Sequence, residues 1–273
     1  MIVPAYNEEA ALPATLAELR AVSPPLEILV VDDGSRDSTA AVAAGAGAIV
    51  VSLPFNLGVG GAVRTGLRYA AERGYDRVVV LDADGQHEAV AISELLAALD
   101  GGADVAVASR FAPGAGAYHL TRVRRGAIRL LAGIVHGLTG QRFTDPTSGF
   151  RAFGRPAVEL LARDYPVEYL ADTVEVLLIV CSAGLQVAEV PTTMRVRAAG
   201  RPSQRRVRLV VNYLRVLVGL LGAALFRRRE LRRPERKAAV RPAETALAEP
   251  TPLRRPEPDE APAAPLEGQR RSS

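Results

Sequence analysis

Short runs of branched apolar residues, each followed by a polar turn and then a helical stretch, constrain this chain more than any other feature. The clearest is Arg77-Val78-Val79-Val80, which leads through Leu81 into Asp82-Ala83-Asp84-Gly85-Gln86-His87. A continuous β-branched run of this kind reads as a strand buried on both faces, as in a parallel sheet. Comparable runs are Ile2-Val3, Glu27-Ile28-Leu29-Val30-Val31, residues 48–53 and Asp104-Val105-Ala106-Val107-Ala108. Helical patterns lie between them. Asn7 caps one whose Leu12, Leu16 and Leu19 share a face, and Ser35 or Asp37 caps one running to Ala44. Two more cover 62–73 and 89–99. The alternation predicts an α/β fold, a mostly parallel sheet flanked by helices, with ligands bound beyond the carboxyl ends of the strands. Asp33, Asp82, Asp84 and Arg110 all fall at such ends, which predicts one site for an anionic ligand. Ile2-Val3 is short against a usual strand of about five or six residues, which suggests a coding start upstream of Met1.

The acidic stretch carries the chemistry. Two carboxylates two residues apart leave the end of a strand, and a turn at Gly85 lets them converge. Paired oxygens of this type suit a hard divalent cation held partly by substrate phosphates, and Gln86 adds a neutral oxygen. The bland alternative is a solvated acidic turn.

The second half is less regular. Residues 111–118 form a Gly- and Ala-rich loop, and Arg122, Arg124 and Arg125 precede an apolar helix to about Leu138. Residues 144–151 are polar and turn-like. Pro156 begins a helix to Ala162, Asp172-Thr173-Val174-Glu175 opens another that ends near Gly184, and 185–191 reads as a strand.

At 273 residues and 48% hydrophobic, the chain has enough for one sizeable core plus an appendage. Cys181 is the only cysteine, so no intrachain disulfide forms and a reducing compartment is expected. His87, His119 and His136 lack zinc spacing. No signal peptide precedes the first run. Between Arg201 and Arg233 stand ten arginines and one acid, Glu230, a balance that suits an anionic surface. Without interleaved aromatics it does not suit single-stranded nucleic acid, and no nucleic-acid partner is expected. Residues 209–226 are apolar but interrupted by Asn212 and Arg215. At ~1.5 Å per residue they would barely cross a ~30 Å hydrocarbon core, so an in-plane interfacial helix or a docked helix is expected, with an ordinary core helix as the alternative. Beyond about 232 the composition predicts a disordered tail. Gly58-Val59-Gly60-Gly61 lacks dinucleotide-binding spacing, and no phosphate-loop Gly-Lys-Ser/Thr exists in a chain whose only lysine is Lys237.

Five segments in order resemble the family-2 glycosyltransferases of GT-A fold. They are Val3-Pro4-Ala5-Tyr6-Asn7-Glu8, Val31-Asp32-Asp33-Gly34-Ser35, Asn56-Leu57-Gly58 with Arg64 and Gly66, Asp82-Ala83-Asp84-Gly85-Gln86-His87, and Ser109-Arg110-Phe111. The acidic motif and residues 144–153 look most like the polyprenyl-phosphate sugar transferases. The resemblance covers roughly 2–203 and implies a GT-A domain over 1–203; composition sets beside it a basic and apolar membrane-interfacial or docking helix at 204–231 and a disordered tail at 232–273. The resemblance also implies roles. Pro4, Tyr6, Glu8, Asp33, Asp82 and Ala83 would border the nucleotide sugar, either a UDP- or a GDP-sugar. Asp82, Asp84 and Gln86 would hold Mg²⁺ or Mn²⁺ on the diphosphate. Arg110, with Arg124 or Arg125, would hold acceptor or donor phosphates. Asp172 or Glu175, three apart on one helix face, would serve as base if the acceptor is a glycan hydroxyl, whereas a polyprenyl phosphate needs none. Residues 195–203 resemble a segment that closes over the donor, but Arg201 and Pro202 separate Gly200 from Ser203 where the family has a tighter Gly-x-Ser. The implied enzyme is an inverting, metal-dependent transferase peripheral to the cytoplasmic side of a membrane, with a membrane partner subunit as one option. A non-catalytic membrane-attached binding module is the reading from a different class.

Overall fold

The computed structural model of the chain describes residues 1–22, 26–83, 85, 90–116, 121–167 and 172–195. Asp84, Gln86, His87 and the expected segments 204–231 and 232–273 lie outside them. The elements, in order, are β1 (Ile2–Ala5), α1 (Leu12–Arg20), β2 (Leu29–Asp32), α2 (Thr39–Gly45), β3 (Ile49–Ser52), α3 (Val59–Glu72), β4 (Arg77–Val80), α4 (Val90–Asp100), β5 (Val105–Ser109), α5 (Arg122–Thr139), β6 (Arg151–Gly154), α6 (Arg155–Asp164), α7 (Asp172–Ser182) and β7 (Val187–Pro191).

The strands form one sheet in the order β3-β2-β1-β4-β6-β5-β7. All pairings are parallel except those of β6, which runs against both β4 and β5. This strand was not legible in the sequence. Arg151-Ala152-Phe153-Gly154 has no β-branched run, and a turn was expected through Arg151. It becomes a strand because β4 and β5 flank it on both sides, and such pairing overrides weak local preference.

Alternation along the strands builds two cores. Val78 and Val80 face one side with Leu29, Val31, Val105 and Val107, under α3, α5, α6 and α7. Val79 and Leu81 face the other with Val3, Val30 and Ala106, under α1 and α4. Runs that are apolar at every position are what a sheet covered on both faces requires.

Several local expectations change. Asn7 does not cap α1. The cap position is Ala11, with no side-chain hydrogen bond. Asn7 instead takes a left-handed backbone at φ 54, a region asparagine tolerates better than most residues. The cap position of α2 is Ser38, although Asp37 Oδ1 still accepts from Thr39 N at 3.0 Å. α3 starts at Val59, inside the glycine-rich stretch expected to precede it.

Glycine there has a packing reason. A Cβ on Gly60 would stand 2.5 Å from the Pro166 carbonyl oxygen, and one on Gly66 would stand 2.5 Å from Ile2 Cγ2. Because the obstacle at Gly60 is backbone, it cannot rotate away. Gly60→Ala is therefore expected to lose about 1–3 kcal/mol of stability despite the gain in helix propensity. Urea denaturation should show a lower midpoint at unchanged slope, and an equal or higher midpoint would refute the close approach.

Candidate active site

Three loops at the carboxyl edge of β1, β2 and β3 are tied to one another by side chains bonded to backbone. Asn7 N donates to Ser35 Oγ at 2.9 Å, and Arg36 N donates back to Asn7 Oδ1 at 2.8 Å. Glu8 N donates to Thr39 Oγ1 and Ser38 N to Glu9 Oε2, each at 2.9 Å. Asp33 is 3% exposed. Its Oδ1 accepts from Leu57 N at 2.7 Å and its Oδ2 from Gly58 N at 2.9 Å. Burial pushes its carboxyl above the usual range, and the two amides pull the other way. Asp33, expected as a direct ligand of base or ribose, thus braces the start of α3 with both oxygens, each of which keeps a further lone pair. Of the other residues expected at the nucleotide, Pro4 is buried within β1, Glu8 is half-buried and Tyr6 is exposed.

The acidic motif leaves β4 in the centre of the sheet. Thr15 Oγ1 of α1 donates to the Ala83 carbonyl at 3.0 Å, pinning the motif backbone from below. Asp82 is half-buried, and a Cβ on Gly149 would stand 3.9 Å from its Oδ2. The loop at 144–150 and the acidic motif are therefore neighbours. Among the described residues no group of three or more metal-ligating side chains occurs, and Asp82 is the member of the expected Asp82, Asp84 and Gln86 set that falls within them. Its hard carboxylate oxygens fit Mg²⁺ or Mn²⁺ by donor chemistry.

On the far side of the motif, buried charge organises the 144–150 loop. Arg110 follows β5 and is 8% exposed, while Asp145 is 0% exposed. Arg110 Nε donates to Asp145 Oδ2 at 2.5 Å and Nη2 to Oδ1 at 2.8 Å, with Thr147 Oγ1 also 2.8 Å from Nη2. Glu189 of β7 accepts from Thr144 N, from Asp145 N and from Thr144 Oγ1. Arg110 was expected as a phosphate ligand at an open strand end. The structure instead turns its fork onto a buried carboxylate. Arg124 and Arg125 sit in the first turn of α5 and are exposed, so the three arginines do not share one environment. Asp172 and Glu175 divide in the same way. Both are on α7, yet Asp172 is buried and Glu175 exposed, so i,i+3 spacing did not give them a common setting. Burial pushes the Asp172 carboxyl up to about 6, and the charge of Asp82 adds to the rise. Tyr165, 6% exposed, is pushed far up by burial and by Asp172.

Four residues of this network had no role in the sequence reading: Asp145, Arg151, Tyr165 and Glu189. The signal for Glu189 was an acid within an apolar strand, and for Asp145 and Arg151 a charge at each end of a polar turn. No such signal marked Tyr165.

The model of the family described as glycosyl transferase family 2 matches residues 1–160. The chain belongs to that family. It is 32% identical over 213 residues to the polyprenol monophosphomannose synthase of Mycolicibacterium smegmatis, covering 73% of this chain and 78% of that one. It is 32% identical over 207 residues to the undecaprenyl-phosphate mannosyltransferase of Micrococcus luteus, covering 73% and 84%. Among solved structures, glucosyl-3-phosphoglycerate synthase from Mycobacterium tuberculosis in complex with Mn²⁺ and UDP-glucose superposes with a TM-score of 0.61 at 26% identity, covering 81% of this chain and 77% of that one. The protein is accordingly a glycosyltransferase that uses a nucleotide sugar, and the non-catalytic reading is set aside.

Two measurements test this glycosyltransferase site as built. Asp145→Ala leaves Arg110 buried without its carboxylate, and the expected loss is about 3–5 kcal/mol in chemical denaturation. Asp172 binds its proton more tightly in the folded chain than in the unfolded one. Between pH 4 and 6 the folded state therefore holds more protons, and stability contributed by this group falls as pH rises through that window. Asp172→Asn should remove a slope worth on the order of 2–3 kcal/mol across it. Identical pH profiles for both proteins would refute the burial of a titrating carboxyl there.

Proposed function

We propose that this glycosyltransferase moves a hexose from a nucleotide diphosphate sugar to a polyprenyl phosphate at a membrane surface, in one inverting displacement. The observation that carries this reading is α5. Its eighteen residues contain no acid, while Arg122, Arg124, Arg125 and Arg129 are all exposed. Val123 and Leu130, one helical face apart by seven positions, are 80% and 57% exposed. Three of those arginines stand in the first turn, where the helix dipole disfavours a cation by about 0.3–1 kcal/mol each. An anionic partner offsets that cost, and exposed aliphatic side chains beside arginines suit a lipid headgroup layer. The relatives named for polyprenol and undecaprenyl-phosphate mannosyl transfer support the same acceptor class. No described helix is long and apolar enough to cross a membrane.

The chemistry divides between two halves of the site. The rim of Tyr6, Asn7 and the Asp33-anchored loop receives the nucleotide. Asp82, with Asp84 and Gln86 beside it in sequence, would hold a divalent cation that neutralises charge on the departing diphosphate. Mn²⁺ with UDP-glucose in the structural neighbour supports that assignment. The lipid phosphate oxygen forms its bond to the anomeric carbon as the bond from that carbon to the β-phosphate oxygen breaks. The acceptor is ionised near neutral pH and gives up no proton, so no base is needed. Arg124 and Arg125 would hold its charge.

A second reading has one observation in its favour. Asp172 is buried with its carboxyl near 6, where a general base for a glycan hydroxyl works well. The two are separated by assaying the full chain with GDP-mannose and UDP-glucose, with and without Mn²⁺, against polyprenyl phosphate in anionic vesicles and against a soluble glycan. Metal-dependent transfer to lipid is expected, reduced about 100-fold or more in Asp84→Ala. Arg124→Glu with Arg125→Glu should weaken vesicle co-sedimentation. Transfer to the glycan alone, abolished in Asp172→Asn, would establish the second reading.

A further inference from the structure

Arg151 begins β6 in the interior of the sheet, paired with Val80 on one side and Val107 on the other. It is 2% exposed. A cation in that position is costly unless its donors are spent. Its Nε donates to the Ser148 carbonyl at 2.9 Å, and its Nη2 to the carbonyls of Pro146 at 3.2 Å and Thr173 at 2.6 Å. Its Nη1 is buried and makes no hydrogen bond among the described residues. Pro146 and Ser148 belong to the loop that grips Arg110, and Thr173 to the first turn of α7. One guanidinium therefore joins the two elements that carry Asp145 and Asp172. The anionic or polar groups whose fields reach it are Tyr165, Asp172 and Asp145, and Asp172 lies in turn within the field of Asp82.

Stability alone does not account for such a residue. A buried cation often contributes no more to stability than an apolar side chain of similar volume would. What an apolar side chain cannot do is bind carbonyls from two elements at once and hold their relative position.

We infer that Arg151 is a positioning residue for the acceptor side of the transfer, locking the 144–150 loop to the first turn of α7 and so setting Asp172 against Asp82. The inference rests on the transfer reaction proposed above. Wild-type turnover tests that reaction, and the ratio of variant to wild type tests Arg151, on whichever acceptor the wild type uses.

The variants are Arg151→Lys, which keeps the charge but not the fork, and Arg151→Met, which keeps the volume without a buried charge. Folding is checked by circular dichroism and urea denaturation. Donor affinity is measured by calorimetry with Mn²⁺ and either GDP-mannose or UDP-glucose, whichever the wild type turns over. The expected result for Arg151→Lys is kcat lower by about 10- to 100-fold, from misplacement of the acceptor side. Donor affinity should stay within about twofold, because the rim at β1 to β3 is untouched. In a double-mutant cycle where the wild type uses a hydroxyl acceptor, with Asp172 as base, Arg151→Lys with Asp172→Asn should cost little beyond Asp172→Asn alone, by less than about threefold, since both remove one arrangement. Wild-type kcat in a folded variant or an equal loss of donor affinity would each overturn the inference, and so would multiplicative losses in the cycle on a hydroxyl acceptor. So would failure of both Arg151 variants to fold, which would make Arg151 a residue of the fold alone.

Discussion

An antiparallel strand set between two parallel ones constrains everything around the loop at 144–150. Because β6 runs against β4 and β5, the chain must enter it at the edge where those two strands end. The segment at 144–150 is thereby forced alongside Asp82. An irregular segment there buries backbone groups that no strand can satisfy, so side chains must do it. Glu189 takes the amides of Thr144 and Asp145, and Arg151 takes the carbonyls of Pro146 and Ser148. Asp145 then closes on Arg110 in a two-point fork with Thr147. Burying such a pair is tolerable only when geometry is good and the remaining donors and acceptors are used, and here nearly all are.

The loops that follow β1, β2 and β3 solve a different problem with the same chemistry. They follow parallel strands and are exposed, so what they need is rigidity. Acids supply it by accepting backbone N–H groups. Asp32 accepts from Ser35 N, Asp33 from Leu57 N and Gly58 N, and Glu9 from Ser38 N. Beside the exposed Tyr6, Asn7 is tied to the next loop through Ser35 Oγ and Arg36 N. Preorganisation of this kind lowers the ordering cost of binding a nucleotide.

The two halves meet at the acidic motif, whose Ala83 carbonyl accepts from Thr15 and whose Asp82 lies beside Gly149 and within the field of Asp172. That meeting point follows from the position of β4 at the centre of the sheet, between the parallel half and the mixed half. α5, with its arginines and exposed aliphatic side chains, adds a surface suited to an anionic layer.

The sequence by itself determined the strands β2, β4 and β5 and the edge of the sheet where the motif residues emerge. Buried two-faced strands must be apolar at every position, and the polar residues that follow them can only emerge at their ends. It also determined which stretches matter, because each motif is a local cluster of unusual residues. The tertiary structure alone decided what the motif residues do. Asn7, expected as a helix cap, and Asp33 brace loops, and Arg110 is half of a buried pair. Asp172 and Glu175, equivalent by spacing, were separated into a buried and an exposed carboxylate. The strand β6 and the role of Arg151 were decided the same way. In each case the deciding factor was a partner distant along the chain, and the energy of a charge depends on that partner and on its distance from water.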